Sequence, residues 1–113
     1  MNSLFIVSFK KSETWKWKHW EISWSLSKKS NHEKNINILL VHGFGASKKH
    51  WRHNQDFLGE VFKCYAIDLL GFGESSQPSA LLNYEPHKEN SVKYSFDLWS
   101  NQVSTFCTEV IKS

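Results

Sequence analysis

The hydrophobic residues between positions 14 and 27 alternate with polar ones, which is the pattern of strands with one buried face. They form two sets of opposite parity, Trp15 and Trp17 in the first and Trp20, Ile22, Trp24 and Leu26 in the second. The parity changes near Lys18 and His19, so the pattern predicts two antiparallel strands joined there by a tight turn. The polar segment 27–35 follows and predicts a loop.

Two later segments, 36–41 and 61–69, have the nearly continuous apolar pattern of strands that are covered on both faces. Between them, Ser47 is suited to cap a helix over 48–58, and Gly59 is suited to end it. A strand, a helix and a second strand in this order predict a parallel crossover.

Each predicted helix has an apolar side and a polar, solvent-facing side. In the first helix the apolar side consists of Trp51, Phe57 and Leu58. Its polar side consists of Lys48, Lys49, Arg52 and Asn54. The second helix begins after Ser95, which is a suitable capping residue. Its apolar stripe consists of Phe96, Trp99, Val103, Phe106 and Val110. The polar segment 74–94 before it contains both prolines and predicts a long loop.

The composition is that of one folded domain over 1–113, in which only the segment 1–13 is expected to be poorly ordered. The hydrophobic content of 40% is ordinary, and the aromatic content of 15% argues against a disordered chain. The net charge of +3 is spread along the sequence, so it gives little support for a nucleic-acid or anionic membrane partner. Tryptophans alternating with lysines over 15–20 could stack bases, but the predicted hairpin explains the same pattern, and we expect no nucleic-acid partner.

The sequence contains no pattern for a metal, an organic cofactor, a membrane span or export. The cysteine and histidine spacings match no metal site, and Gly71-Phe72-Gly73 lacks the third glycine of a dinucleotide-binding turn. No apolar stretch approaches the ~18 residues of a membrane-spanning helix, and the N-terminus lacks the length of a secretory signal. We therefore expect a cytoplasmic protein without a cofactor, in which Cys64 and Cys107 are buried free thiols.

A candidate chemical motif, His42-Gly43-Phe44-Gly45, directly follows the first buried strand. The glycines on either side of Phe44 let the chain turn sharply, so that main-chain N–H groups approach a ligand closely. Such donors stabilise the oxyanion that develops during acyl transfer, and the Phe44 ring would line the pocket. The alternative is a strand-to-helix turn in which the glycines only satisfy the backbone.

Asp68 and the residues after it form a second candidate motif, at the end of the other buried strand. This edge of a parallel sheet is where ligands usually bind. Gly71 and Gly73 allow another tight turn, which Ser75 follows. Asp68 is either a catalytic acid or a carboxylate that accepts hydrogen bonds from loop amides.

Together, the two motifs resemble the N-terminal part of the α/β-hydrolases, and more closely the cyanobacterial and plastid branch similar to pheophytinase. The resemblance runs from about Trp15 to the C-terminus and includes the segments 51–52 and 99–103. It implies an α/β fold in which an N-terminal β-hairpin leads into a partial, mostly parallel sheet with two flanking helices. It also implies hydrolysis of a small-molecule ester, such as one on a tetrapyrrole side chain. Gly45 occupies the position at which epoxide hydrolases and haloalkane dehalogenases carry proline, which argues against those two activities.

The resemblance assigns roles to the residues of the two motifs. The Phe44 N–H would be one half of an oxyanion hole, and His42 would be structural rather than the catalytic base. Asp68 and Ser75 would organise the loop. The turn positions would be Gly43, Gly45, Gly71 and Gly73.

In this family the nucleophile lies in a G-x-S-x-G elbow after the strand that follows the second helix, and the acid and base come later. The 113 residues contain no such elbow. We therefore expect a chain that is truncated before the triad and inactive alone, because loss of the nucleophile costs roughly 10⁶ in turnover. The alternative is a non-catalytic interaction module that self-associates through an open sheet edge formed by 36–41.

Overall fold

The computed structural model describes residues 11–28, 36–82, 84–86 and 88–112. Most of the predicted loop 27–35 and of the segment 1–13 lies outside these residues. The strands are β1 (Glu13–Trp17), β2 (Trp20–Ser27), β3 (Asn37–Val41), β4 (Lys63–Ile67), β5 (Ser79–Ala80) and β6 (Ser91–Val92). The helices are α1 (Arg52–Leu58), preceded by a 3₁₀ turn over Lys48–Trp51, and α2 (Phe96–Phe106), continued by a π-helical turn over Cys107–Ile111. In this part of the chain, no helix combines the length and the apolarity needed to cross a bilayer.

The main sheet has the strand order β1-β2-β4-β3. β1 and β2 are antiparallel with Trp17 opposite Trp20, which confirms the predicted hairpin. Lys18 turns the chain between them with a φ of 58°. β2 runs antiparallel to β4, whereas β3 runs parallel to β4. The predicted α/β fold, in which a hairpin leads into a partial parallel sheet with two helices, is confirmed.

The core lies between the sheet and α2. The buried hydrophobic side chains that form it are Trp15, Trp17, Trp20, Ile22, Tyr65, Ile67, Leu70 and Phe106. The Phe106 ring is fully buried, 5.4 Å from the ring of Trp15 and 5.6 Å from that of Trp24. The aromatic face of the hairpin therefore covers α2, and each buried side chain of this size contributes roughly 1.5–3 kcal/mol.

Both predicted capping serines cap their helices. The Ser47 hydroxyl accepts a hydrogen bond from Lys49 N–H at 3.3 Å, and the Ser95 hydroxyl accepts one from Leu98 N–H at 3.1 Å. The segment 74–94, predicted as one long loop, also contains β5 and β6, which pair in parallel over two residues each.

The sides of the first helical segment differ from the prediction. Lys48 is buried and Phe57 is 76% exposed, which reverses their predicted environments. The buried position on α1 belongs to Gln55, whose amide donates to the Ser25 and Cys64 carbonyls at 3.2 Å and 2.9 Å. The 3₁₀ turn has about three residues per turn, so side chains here follow a different phase from those of a continuous α-helix.

The apolar stripe predicted for α2 also differs from the observed buried side of the helix. Phe96 is 79% exposed, whereas Gln102 is fully buried. Gln102 accepts from Leu70 N–H at 2.9 Å and donates to the Asp68 carbonyl at 3.2 Å, so its burial is compensated. Cys107 is exposed, which corrects its assignment as a buried thiol.

β3 forms one edge of the main sheet in the described part of the chain. Its residues are half-buried except Val41, which is exposed, and the adjoining Ile36 is 51% exposed. The strand is less covered than its apolar sequence predicts, since among the described strands only β4 pairs with it.

Candidate functional site

The segment 42–46 leads from the end of β3 to the capped turn before α1. Ala46 N–H donates to the Gly43 carbonyl at 3.3 Å, which closes a four-residue turn. Gly45 has a φ of 74°, in the left-handed region where a larger residue would be strained. Phe44 is 68% exposed, and its N–H donates to no acceptor among the described residues. Among the described residues, the turn therefore carries a main-chain donor without an acceptor.

The His42 ring joins the ends of the two parallel strands. The ring is buried, and its Nε2 accepts a hydrogen bond from Leu69 N–H at 3.0 Å. Because Nε2 accepts, these contacts assign the proton to Nδ1, which donates to the Gly43 carbonyl at 2.7 Å. Both ring nitrogens are thus engaged by the main chain.

The Asp68 carboxylate is fully buried just after β4 and accepts main-chain hydrogen bonds. Oδ1 accepts from Lys48 N–H at 2.6 Å, and Oδ2 accepts from Glu74 N–H at 2.9 Å. Gly73 lies so close that an added Cβ would clash with this carboxylate, and its φ is 56°. Each carboxylate oxygen thus accepts a hydrogen bond from a main-chain amide of a neighbouring segment.

Lys48 also belongs to this site, although the sequence pattern predicted it on the solvent-facing side of the helix. Its Nζ lies 3.1 Å from Asp68 Oδ2 and 2.6 Å from Glu74 Oε1. One signal for it was available: Lys48 directly follows the helix cap, where the helix dipole disfavours a cation unless acidic groups lie nearby.

Ser75 fastens the end of this loop to the hairpin. Its hydroxyl accepts from Ser23 N–H at 2.9 Å and donates to the Asp68 carbonyl at 2.7 Å. The next residue, Ser76, exchanges two hydrogen bonds with the main chain of Glu21, at 2.9 Å and 2.8 Å. The second motif is therefore held against both β2 and the end of β4.

An aromatic groove lies beside the Phe44 turn. It has a volume of about 350 Å³ and is lined by Phe44, Gly71, Phe72, Gln77, Pro78, Tyr94 and Trp99. Tyr94 closes one side by donating its hydroxyl to the Pro78 carbonyl at 2.5 Å, and burial raises the pKa of this phenol. A Cβ on Gly71 would lie 2.7 Å from the Tyr94 ring, so glycine lets the ring approach.

The groove carries no charged side chain, and its walls suit an uncharged ligand. Its volume lies near the lower end of the ~300–1,000 Å³ range of small-molecule sites. Within the described residues, no three histidine, cysteine or acidic side chains are placed to hold a metal ion.

The sequence model of the alpha/beta hydrolase fold family matches residues 36–111, which include the turn, the loop and the groove. The chain belongs to this family. Over 56 residues it is 39% identical to epoxide hydrolase 3 of Xenopus tropicalis. This aligned region covers 50% of this chain and 15% of that relative. Over 76 residues it is 37% identical to 1-acylglycerol-3-phosphate O-acyltransferase ABHD5 of Sus scrofa. This aligned region covers 67% of this chain and 22% of that relative.

Solved structures agree with this α/β-hydrolase assignment. The crystal structure of a membrane phospholipase A, a bacterial virulence factor, matches with a TM-score of 0.69 and 27% identity. The match covers 89% of this chain and 28% of that one. The α/β-hydrolase chain thus spans 15 to 22% of the length of the first two relatives.

Acidification is expected to weaken one contact in this α/β-hydrolase chain. The hydrogen bond and the charge of Lys48 lower the pKa of Glu74 below its ordinary value of 4.5. A carboxyl with a lowered folded-state pKa contributes stability above its unfolded pKa, and loses it as the pH falls through the lowered value. Since the Glu74 side chain is 54% exposed, this contribution is at most about 1 kcal/mol.

Glu74→Gln should therefore lower the free energy of unfolding at pH 7 and have a smaller effect at about pH 3. Urea unfolding of both proteins at the two pH values measures this difference. An effect of Glu74→Gln that does not depend on pH would show that the carboxylate charge does not stabilise the fold.

Proposed function

We propose that this chain supplies the oxyanion side of an acyl-transfer site that acts on a carboxylic ester, with the Phe44 N–H as one oxyanion donor. The observation that carries the proposal is the Phe44 N–H, which has no acceptor among the described residues and belongs to an exposed residue beside an uncharged aromatic groove. A preorganised main-chain donor stabilises the negative charge that develops on the carbonyl oxygen. An uncharged acyl or aromatic group next to that carbonyl would lie in the groove.

Two lines of similarity support an ester as the substrate. The relatives include a 1-acylglycerol-3-phosphate O-acyltransferase, and the matching structures include a phospholipase A. The motif resemblance to the pheophytinase-like branch favours an ester on a flat ring system. The aromatic rings at the groove, with Phe44 5.0 Å from Trp99 and Tyr94 5.7 Å from it, would stack on such a ring.

The oxyanion role is tested by adding a singly charged monoalkyl methylphosphonate, a tetrahedral mimic, to the ¹⁵N-labelled chain. We expect the Phe44 amide resonance to move downfield in a saturable way. Phe44→Ala keeps the N–H and should keep this response, whereas Phe44→Pro removes the donor and should weaken binding. A Phe44 amide that does not respond to the phosphonate would contradict the proposal.

The 113 residues contain no G-x-S-x-G elbow, so we propose that the chain alone does not turn over esters. A fluorophosphonate serine-hydrolase probe should leave it unlabelled, and p-nitrophenyl butyrate should be hydrolysed no faster than in buffer. Labelling of a serine together with esterase activity would contradict this.

A second candidate function is association through β3, which forms an edge of the sheet in the described part of the chain; the exposure of Ile36 and Val41 favours this function. Unpaired main-chain groups beside apolar side chains are a template for pairing with a second copy. We expect the chain to self-associate in sedimentation velocity, and Ile36→Lys to shift it toward the monomer, because lysine protects sheet edges. Leu82→Lys is a matched control, since Leu82 is 50% exposed outside this edge. A monomeric wild-type chain at high concentration would exclude this function.

A further inference from the structure

Lys48 contacts a carboxylate at each end of the loop 69–73. Its Nζ lies 3.1 Å from Oδ2 of Asp68, directly before the loop, and 2.6 Å from Oε1 of Glu74, directly after it. The same Asp68 oxygen accepts the Glu74 N–H at 2.9 Å. We call the place where the two ends of the loop meet, between Asp68 and Glu74, the neck of the loop. The Lys48 side chain is 5% exposed, so its ammonium group is held at this neck and is shielded from water.

The loop that Lys48 closes carries Phe72. The Phe72 ring lies 5.4 Å from that of His42, 5.8 Å from that of Phe44 and 6.0 Å from that of Trp99. Phe72 therefore forms one wall of the groove next to the Phe44 turn, and Trp99 forms another, with its ring 5.0 Å from that of Phe44. A movement of the loop would displace the Phe72 wall.

Main-chain hydrogen bonds alone would leave two carboxylates close together at the neck. The charges of Asp68 and Glu74 repel each other, and the repulsion grows where burial lowers the effective dielectric constant. Lys48 lies within ion-pair distance of both, so it replaces this repulsion by two attractions. Its own main-chain N–H also bonds to Asp68 at 2.6 Å, which fixes the start of the helical segment to the same carboxylate.

We propose that Lys48 is a positioning residue, which closes the neck of the loop 69–73 and thereby holds Phe72 against Phe44 at the groove. It acts through Phe72, since its side chain does not line the groove. The use of the groove by substrate rests on the proposed function, whereas the closure of the loop does not.

The test compares Lys48→Met with Lys48→Arg in the 113-residue chain. Methionine keeps an unbranched side chain that is one atom shorter, and it removes the charge. We expect the Glu74 amide hydrogen to exchange at least about tenfold faster in Lys48→Met, because the neck opens locally. The contact between the Phe72 and His42 rings, seen as a nuclear Overhauser effect, should weaken.

Arginine should restore both signals, because a guanidinium can also bond two carboxylates. Lys49→Met is the matched control, since Lys49 is exposed, and it should change neither signal. A folded Lys48→Met chain with wild-type exchange and wild-type ring contacts would overturn the proposal. If Lys48→Met does not fold, Lys48→Gln removes the charge but keeps a polar side chain at this position, and a wild-type exchange rate of the Glu74 amide in that variant overturns the proposal equally.

A second readout separates this proposal from the function of the groove. Methyl octanoate is titrated against each variant, and we expect its affinity to fall about fivefold in Lys48→Met, because the displaced wall loses apolar contact. If the wild-type chain does not bind methyl octanoate, the assignment of the groove to an acyl group is wrong. Amide exchange and the ring contact then still decide the role of Lys48.

Discussion

Replacing Asp68 by alanine is expected to lower the free energy of unfolding by about 3–5 kcal/mol. The carboxylate is fully buried and accepts hydrogen bonds from two main-chain N–H groups and from the Lys48 ammonium. Among the described residues, its removal leaves the buried Lys48 with the partly exposed Glu74 as its remaining ion-pair partner. Removing one member of a buried ion pair is costly because the remaining charge stays desolvated.

Chemical denaturation at neutral pH measures this loss. Asp97→Ala is the matched control, because Asp97 is exposed in the first turn of α2, where its charge contributes only ~0.3–1 kcal/mol through the helix dipole. Equal losses for the two variants would show that the Asp68 network does not stabilise the fold beyond an ordinary surface carboxylate.

Phe106→Ala should destabilise the chain by a comparable amount, about 3–5 kcal/mol. The Phe106 ring is fully buried, and its edge packs against the rings of Trp15, Trp24 and Tyr65. Truncation removes the apolar surface and leaves a cavity between α2 and the sheet, because the surrounding indole rings cannot collapse fully into the space. Such a loss is a large fraction of the ~5–15 kcal/mol that stabilises a typical domain.

The same substitution at Phe57 separates burial from residue type. Phe57 is 76% exposed on α1, so Phe57→Ala should change the free energy of unfolding by less than about 0.5 kcal/mol. Both variants are measured by urea unfolding with circular dichroism. A loss at Phe57 as large as that at Phe106 would contradict the described core.

Local patterns predicted the strands and the caps because they depend on neighbouring residues. The parity change at Lys18 and His19 predicted the hairpin, since a strand places alternate side chains on opposite faces. The serine caps were predictable because an oxygen at that position satisfies a free N–H of the first helical turn.

The groove could not be predicted in this way. Phe44, Phe72, Tyr94 and Trp99 come from four separate segments, and the alternation or period within each segment does not show which rings meet. Only Phe44 was expected to line a pocket. The other rings face the same space because the loop and α2 fold back onto the turn after β3.

The sequence by itself determined the α/β class, the hairpin, the parallel pair and the two glycine-containing motifs, because hydrophobic period, capping and turn chemistry act over a few residues. Only the tertiary structure decided that Lys48, Gln55 and Gln102 are buried and that Phe57 and Phe96 are exposed. A polar side chain is buried at low cost when partners from distant segments replace its water, and those partners are not visible in the local pattern. The motif residues were thus recognisable in the sequence, whereas the contacts that hold them in place exist only in the folded chain.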